Sequence, residues 1–309
     1  MRRSVWVHQW NQLVEQTPQE IADTLLPRRI TGVYIKAMDG FYWMGDVYSH
    51  RLVPRDATSM ADLVDQFEAV GLTLVPWVVP RSLANEAHAH VECGAAARDR
   101  LIIDWEYHYQ GFWMGSAAQA QEYHDTLRAG VQAGMWIASA PDPRQIYRDY
   151  DPSLIRGLSA ILPQTYWTDF QADAFDVVHD AILTLAQFGP VEPIMPYNAT
   201  PADMERALVE CLDQEVQAVS LWRMGSANAA QLDAFAVPIS GDEEPEEATD
   251  VDDAERRQYQ EKIDGLVNAF GYLTGDALRP LTRPTAAKYV KTFVAEARRV
   301  AEQVQVEHA

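Results

Sequence analysis

Cysteine is scarce in this chain of 309 residues, which contains only Cys93 and Cys211. The two cysteines are far apart in sequence, lie in stretches that look helical and have no metal-ligand spacing around them. This argues against a disulfide-bonded framework and against a cysteine-based metal site. We expect both cysteines to be buried free thiols.

Basic residues are also few: 25 Lys and Arg residues stand against 45 Asp and Glu residues, which gives a formal net charge of −20. Because binding to a phosphate backbone requires concentrated Lys and Arg, this balance argues against a nucleic-acid partner, and it argues against an anionic membrane too. Residues 241–253 contain eight acids and no base. Most of the remaining acidity belongs to the first 240 residues.

Long apolar runs are missing. The opening sequence MRRSVWVHQWNQL is interrupted by His8, Gln9, Asn11 and Gln12, which break the apolar core that a signal peptide needs. No later stretch approaches the roughly 18 apolar residues of a membrane span. We therefore predict no signal peptide and no membrane segment. The expected location is cytoplasmic, or released or virion-associated if the protein is phage-encoded.

Two motifs of cofactor chemistry are absent from the sequence. No G-x-G-x-x-G follows the first predicted strand, and no H-E-x-x-H spacing occurs. His88 and His90 lie two residues apart on a predicted helix, which places them on different faces. We therefore predict no nucleotide cofactor and no metal.

Eight short apolar runs alternate with stretches that carry helix signals, as expected when parallel strands are joined by crossover helices. Eight such units in about 240 residues match the size of a (β/α)₈ barrel. We therefore predict an α/β fold with a TIM barrel over residues 1–240. The predicted strands are 5–10, 32–38, 72–79, 101–107, 135–140, 160–167, 192–197 and 218–224.

The chain beyond the predicted barrel has a different composition. Residues 241–254 are acidic and have too few apolar side chains to pack, so they are predicted to form a solvated linker. Apolar residues recur at helical spacing in 255–274 and 284–306, which predicts a helical hairpin over 255–309. Since a lone helix pair buries little area, we expect it to dock on the barrel or to self-associate.

The fourth predicted strand ends with two acids. Active sites of such barrels lie at the C-terminal strand ends, and the two-residue period places Ile102, Asp104 and Glu106 on one face there. Because like charges this close disfavour joint ionisation, one carboxyl would keep its proton near neutrality, as a general acid must. The pair is suited to cleavage of a glycosidic bond. The alternative is a structural role in buried ion pairs or hydrogen bonds.

Aromatic and amide side chains occur at several other predicted strand ends. Flat aromatic faces stack on pyranose rings, and amides bind pairs of hydroxyl groups. Each aromatic taken alone is more often a core residue, but their clustering favours a carbohydrate-binding cleft. The candidate substrate-binding residues, with the carboxylate after the second strand, are Asp39, Trp77, Gln164, Tyr166, Tyr197 and Trp222.

Four strand-end motifs resemble those of glycoside-hydrolase-like barrels related to the family 25 lysozymes. They are Val33-Tyr34-Ile35-Lys36-Ala37-Met38-Asp39-Gly40, Asp104-x-Glu106, Pro163-Gln164-x-Tyr166-Trp167 and Leu221-Trp222. The resemblance spans the predicted barrel and no part of the tail. It implies that Glu106 is the catalytic acid and that Asp104 assists the substrate or the intermediate.

Two functions are consistent with these features. The first is a glycoside hydrolase acting on a polysaccharide, with cell-wall peptidoglycan as a candidate, in which Glu106 protonates the leaving oxygen. The second is a catalytically inactive barrel that binds carbohydrate or serves as a structural module of a virion or cell surface, fixed through 255–309. It is motivated by the first and eighth strand ends, where His8 and Arg223 occur in regions that carry acids in family 25 enzymes.

Overall fold

The computed structural model describes residues 1–8, 10–82, 85–105, 113, 115–131, 134–138 and 158–237. Glu106 and the predicted linker and hairpin lie outside the described residues. The strands are β1 (Arg2–Val7), β2 (Gly32–Asp39), β3 (Tyr42–Trp43), β4 (Thr73–Val79), β5 (Arg100–Asp104), β6 (Gly134–Ala138), β7 (Ala160–Leu162), β8 (Ile194–Pro196) and β9 (Ala218–Trp222). The α-helices are α1 (Pro18–Leu25), α2 (Ala57–Ala69), α3 (Glu86–Ala96), α4 (Ala117–Gly130), α5 (Trp167–Phe170), α6 (Ala174–Leu185), α7 (Pro201–Asp213) and α8 (Ala229–Ala236).

The sheet is parallel except for one short strand. Its order is β7-β6-β5-β4-β2-β1-β9-β8, and β3 pairs antiparallel with the end of β2. The two outer strands also meet, because Ile161 forms a parallel bridge with Val191 and Gln164 forms one with Ile194. The sheet therefore curls onto itself, with helices between successive strands, as in a TIM-barrel-like α/β fold.

Apolar side chains fill two layers on opposite sides of the curled sheet. Ile103 and Leu101 belong to the cluster between sheet and helices, whereas Ile102 belongs to the interior cluster, as the two-residue period predicts. The interior cluster consists of Trp6, Tyr34, Val75, Trp77, Val79, Ile102, Ala160, Leu162 and Ile194, with Tyr166 and Trp222 packed against it.

The N-terminal end of the barrel is closed by buried polar side chains. Glu192, which is 1% exposed, accepts hydrogen bonds from the Tyr34 hydroxyl at 2.7 Å and from Arg2 Nη2 at 3.1 Å. The indole N–H of Trp6 donates to Ser220 Oγ at 3.0 Å. Burial raises the pKa of the Glu192 carboxyl above its ordinary value. These hydrogen bonds give this end of the barrel a structural role.

Two predicted strands depart most from the bounds in the structure. The first is predicted at 5–10, but β1 covers Arg2–Val7 and a 3₁₀ turn covers Trp10–Gln12. The strand begins earlier than an apolar pattern suggests because Arg2 and Arg3 pair with Ala218 and Val219 of β9. The sixth predicted strand, 160–167, ends at Leu162, since Trp167 begins the short helix α5.

The structure also describes both cysteines and the two histidines of α3. Cys93 and Cys211 are buried free thiols, as predicted, and burial raises the pKa of both. His88 is exposed on α3 while His90 is buried, so the two lie on different faces. Within the described ranges, no helix combines the length and the apolar character needed to cross a membrane.

Candidate functional site

Three tryptophans pack together towards the C-terminal mouth of the barrel. The ring centroid of Trp6 lies 5.6 Å from that of Trp77 and 5.8 Å from that of Trp222, and the latter two are 5.9 Å apart. Trp77 is 1% exposed and donates its indole N–H to the Val7 carbonyl oxygen at 3.3 Å. Trp222 is half-buried. Trp77 therefore forms the base of the mouth, whereas Trp222 offers a partly open face.

The other predicted aromatic and amide residues follow β7 and β8. The Tyr166 ring lies 6.4 Å from that of Trp222, and Tyr166 is half-buried. Gln164 is held at its strand end by the bridge to Ile194. Tyr197 comes directly after β8 and is also half-buried. The structure thus brings Tyr166 together with Trp222, while Gln164 and Tyr197 lie at neighbouring strand ends.

Asp39, at the end of β2, is bound by two cations. Its Oδ1 lies 2.6 Å from Arg81 Nε, and its Oδ2 lies 2.9 Å from both Arg81 Nη2 and Lys36 Nζ. Burial alone would raise the pKa of Asp39, but the hydrogen bonds from Arg81 and the charge of Lys36 outweigh it and hold this pKa below its ordinary value. Asp39 is therefore ionised at neutral pH and is not a proton donor.

A β-bulge explains how Lys36 and Asp39 meet. On a regular strand, residues three apart point to opposite faces. The register between β2 and β4 shifts between Lys36 and Met38, which re-aims the end of the strand. Lys36 is 7% exposed, and its ammonium also lies 5.3 Å from the centroid of the Trp77 ring. The bulge thus brings a buried cation and a carboxylate together at the mouth.

His8 follows β1 and lies between the tryptophans. Its ring stacks on Trp77 at 5.7 Å and lies 5.2 Å from the Trp222 ring, and Arg223 Nη1 is 3.1 Å from His8 Nδ1. Burial, together with the charges of Lys36 and Arg223, lowers the pKa of His8 to about 4. The ring is therefore neutral at pH 7. Because Nδ1 accepts a hydrogen bond from Arg223, the one N–H of the neutral His8 ring is at Nε2. This N–H can donate to a ligand.

Buried hydrogen bonds support the turn that follows Asp39. Gly40, which has a φ of 57°, donates its N–H to the Val79 carbonyl oxygen at 2.8 Å. His90 Nε2 lies 2.6 Å from the Gly40 carbonyl oxygen, and His90 Nδ1 lies 2.6 Å from the Tyr123 hydroxyl. Burial lowers the pKa of His90 to about 4, so the neutral ring donates to Gly40 and accepts from Tyr123. The hydrogen bonds of Gly40 to Val79 and to His90 therefore fix the backbone that follows Asp39.

Asp104 ends β5 and is 8% exposed. It lies two residues after Ile102 of the interior cluster, so alternation puts it on the interior side at the mouth. Strand β4 lies between β2 and β5, which means that Asp39 and Asp104 flank the same strand end. Its predicted partner, Glu106, lies outside the described residues. The catalytic role of the pair stays a prediction.

The sequence alone does not identify the cations around Asp39. Lys36 lies within an apolar strand, and Arg81 lies two residues beyond the end of β4. An ionisable residue inside a run of buried side chains is the signal that could have drawn attention to Lys36. In the part of the chain that the structure describes, no group of three or more His, Cys, Asp or Glu side chains could hold a metal ion.

Fold and mouth together define a TIM-barrel-like protein with an aromatic, charged cleft, and solved structures share the fold. The spore cortex-lytic enzyme SleL of Bacillus cereus matches over 76% of this chain and 73% of its own, with 6% identity and a TM-score of 0.54. An endocellulase of Pyrococcus horikoshii matches over 77% and 89%, with 9% identity and a TM-score of 0.49.

A D-psicose 3-epimerase likewise matches over 76% of this chain and 96% of its own, with 9% identity and a TM-score of 0.48. At such identities the likeness to SleL shows the fold alone, and the other two are too distant to bear on chemistry. No protein-family model matches the chain, and no curated protein sequence matches it.

Proposed function

We propose that this protein is a glycoside hydrolase that acts on a polysaccharide, with peptidoglycan as the specific substrate. The observation that carries the proposal is the position of Asp104, on the interior side of a barrel mouth that also contains Trp222 and Tyr166. A carboxylate at a mouth that also exposes aromatic faces suits cleavage of a glycosidic bond, because the acid supports the chemistry while the aromatic faces stack on sugar rings. The name of SleL, a spore cortex-lytic enzyme with the same type of barrel, agrees with a polysaccharide substrate.

Electrostatics excludes one carboxylate at the mouth from the role of general acid. Arg81 and Lys36 keep Asp39 ionised, so this carboxylate is unsuited to protonate a leaving group. We assign that step to Glu106, as the resemblance to family 25 lysozymes implies, and assign the support of an oxocarbenium-like transition state to Asp104. The neutral His8 ring would donate a hydrogen bond from Nε2 to a substrate hydroxyl.

The test is release of reducing ends from purified peptidoglycan and from chitin oligosaccharides. Loss of a general acid removes about 10²–10⁴-fold in rate, so Glu106→Gln should reduce release by that factor while binding persists. The matched control is Glu205→Gln on the exposed face of α7, which should be as active as the wild type. Equal activity of wild type and Glu106→Gln would contradict the assignment.

A second function is favoured by the residues at the first and last barrel strand ends. His8 is neutral and Arg223 is a cation, and the two contact each other at 3.1 Å. Such a pair can hold a ligand by hydrogen bonds without supplying a carboxylate for chemistry. Retention of wild-type protein on peptidoglycan, with no reducing ends released over long incubation, would establish a binding module instead.

A further inference from the structure

Exposed apolar side chains are concentrated beside the mouth of the barrel. Four of the eight large hydrophobic residues that are exposed in the described ranges lie in the segments after β1 and β2. These two segments pack on each other, since the Trp10 and His50 rings lie 5.6 Å apart. Single exposed apolar residues are ordinary, but paired exposed aromatics at a cleft are not. The four are Val14, Phe41, Tyr42 and Val47.

Phe41 and Tyr42 form what we call the rim platform. Their ring centroids are 4.3 Å apart at an interplanar angle of 38°, and the two residues are 44% and 56% exposed. Tyr42 pairs directly with Asp39 in the β2–β3 hairpin. The rim platform is therefore adjacent to the charged mouth and continues it outwards.

The hairpin that carries the rim platform is held firmly. Trp43 pairs with Met38, and Gly40 is hydrogen bonded both to Val79 and to the buried ring of His90. The backbone that carries these exposed aromatics is therefore fixed before a ligand binds. A ligand that stacks on them therefore loses little of its binding free energy to ordering the protein.

We propose that the rim platform is a stacking subsite for one pyranose unit of the polysaccharide, outside the site of bond cleavage. This inference rests on the proposed function. It adds the position at which the polysaccharide chain leaves the mouth. The two side chains together expose roughly 200 Å². A stable protein partner would need about 800 Å² on this side, whereas one sugar ring requires only an aromatic face with polar groups nearby. Asp39 and Arg81 provide those polar groups.

The experiment compares binding of chitin oligosaccharides of two and six units by titration calorimetry. In the Phe41→Ala/Tyr42→Ala variant, the Kd for the six-unit ligand should rise about tenfold, which corresponds to loss of one good stacking contact, while the Kd for the two-unit ligand stays unchanged. Leu183→Ala, an equally exposed apolar substitution on α6, is the control and should change neither. The variant with Phe41→Tyr and Tyr42→Phe should restore tight binding.

Each other outcome has a distinct meaning. Equal six-unit affinity in the wild type and the double alanine variant would overturn the rim platform and leave the proposed function standing. Equal weakening for both ligand lengths, with unchanged thermal stability, would overturn a subsite separate from the central mouth. Absence of binding to either ligand and to peptidoglycan by the wild type would overturn both proposals together.

Discussion

At the scale of single residues, two carboxylates at opposite ends of the barrel have environments that act in opposite directions. Asp39 at the mouth is surrounded by Arg81 and Lys36, which hold its pKa below the ordinary value. Glu192 at the other end is fully buried, and burial raises its pKa even though Arg2 and Tyr34 donate to it. The C-terminal mouth of the barrel therefore stabilises a charged carboxylate, whereas the packed N-terminal end disfavours one.

This contrast predicts how Asp39→Asn changes stability with pH. Because the folded pKa of Asp39 is depressed, its contribution is present above the unfolded value of about 3.9 and is lost as pH falls through the folded pKa. Near pH 7, Asp39→Asn should cost about 1–3 kcal/mol, since it leaves Lys36 buried without its carboxylate. The cost should shrink below about pH 4. Denaturant unfolding from pH 7 to 3 measures it.

Glu192→Gln serves as the internal comparison, because its pH trend should be the reverse. A raised folded pKa means that the contribution of Glu192 is full below the unfolded value of about 4.3 and is lost as pH rises through the folded pKa. The stability of the wild type relative to Glu192→Gln should therefore fall as the pH rises above the unfolded value. Parallel pH curves for the two variants would show that these environments are not as described.

At the scale of elements, contact between β1 and β2 is limited by one glycine. Ser4 pairs with Gly32, and a Cβ atom built on Gly32 would lie 2.8 Å from Ser4 Cβ and would overlap Ser4 Oγ. We expect Gly32→Ala to destabilise the protein by about 1–3 kcal/mol through overpacking. Thermal and denaturant unfolding measure the change.

Gly189→Ala is the control for that prediction. A Cβ there would meet only the Leu158 carbonyl oxygen at 3.7 Å, an ordinary contact, so the cost should stay within about 0.5 kcal/mol. A second variant tests the cause: adding Ser4→Gly to Gly32→Ala should recover part of the lost stability. No recovery, or equal effects of the two alanine substitutions, would argue against steric conflict at Gly32.

The elements also show which features can be predicted from the sequence. Ile102 is interior, as its two-residue period predicts. The apolar pattern failed at the start of β1, which contains polar residues. Arg2 and Ser4 belong to β1 because they pair with Ala218 and Ser220 of β9, which are distant in sequence.

The site shows the same limit. Strand ends direct attention to Asp39, Trp222 and Tyr166, because position along a strand is a local property of the sequence. The ion pair between Asp39 and Arg81 depends on neighbouring strands, and the one with Lys36 depends on a bulge in β2. The sequence marks Lys36 as an unusual cation within an apolar strand, but it does not indicate either of these pairings. The charge state of Asp39 therefore follows only from the three-dimensional arrangement of these side chains.

At the scale of the whole molecule, the net charge of the chain bears on the role of the last 69 residues. The chain carries −20 overall, and eight acids without a base occupy 241–253. Like charge slows the encounter with anionic wall polymers, so a separate means of attachment would be useful to a protein of this composition. Residues 255–309, with apolar residues at helical spacing, are predicted to dock on the barrel or to self-associate.

Removal of residues 241–309 tests that prediction. The buried core of the described residues lies between Val5 and Phe235, so we expect the truncated barrel to fold. If residues 255–309 self-associate, sedimentation should give a multimer for the full chain and a monomer for the truncated one. If they instead dock on the barrel, both chains are monomers and truncation lowers Tm measurably. Equal mass and equal Tm would contradict both forms of the prediction, because a helix pair that neither docks nor self-associates has no partner for its apolar face.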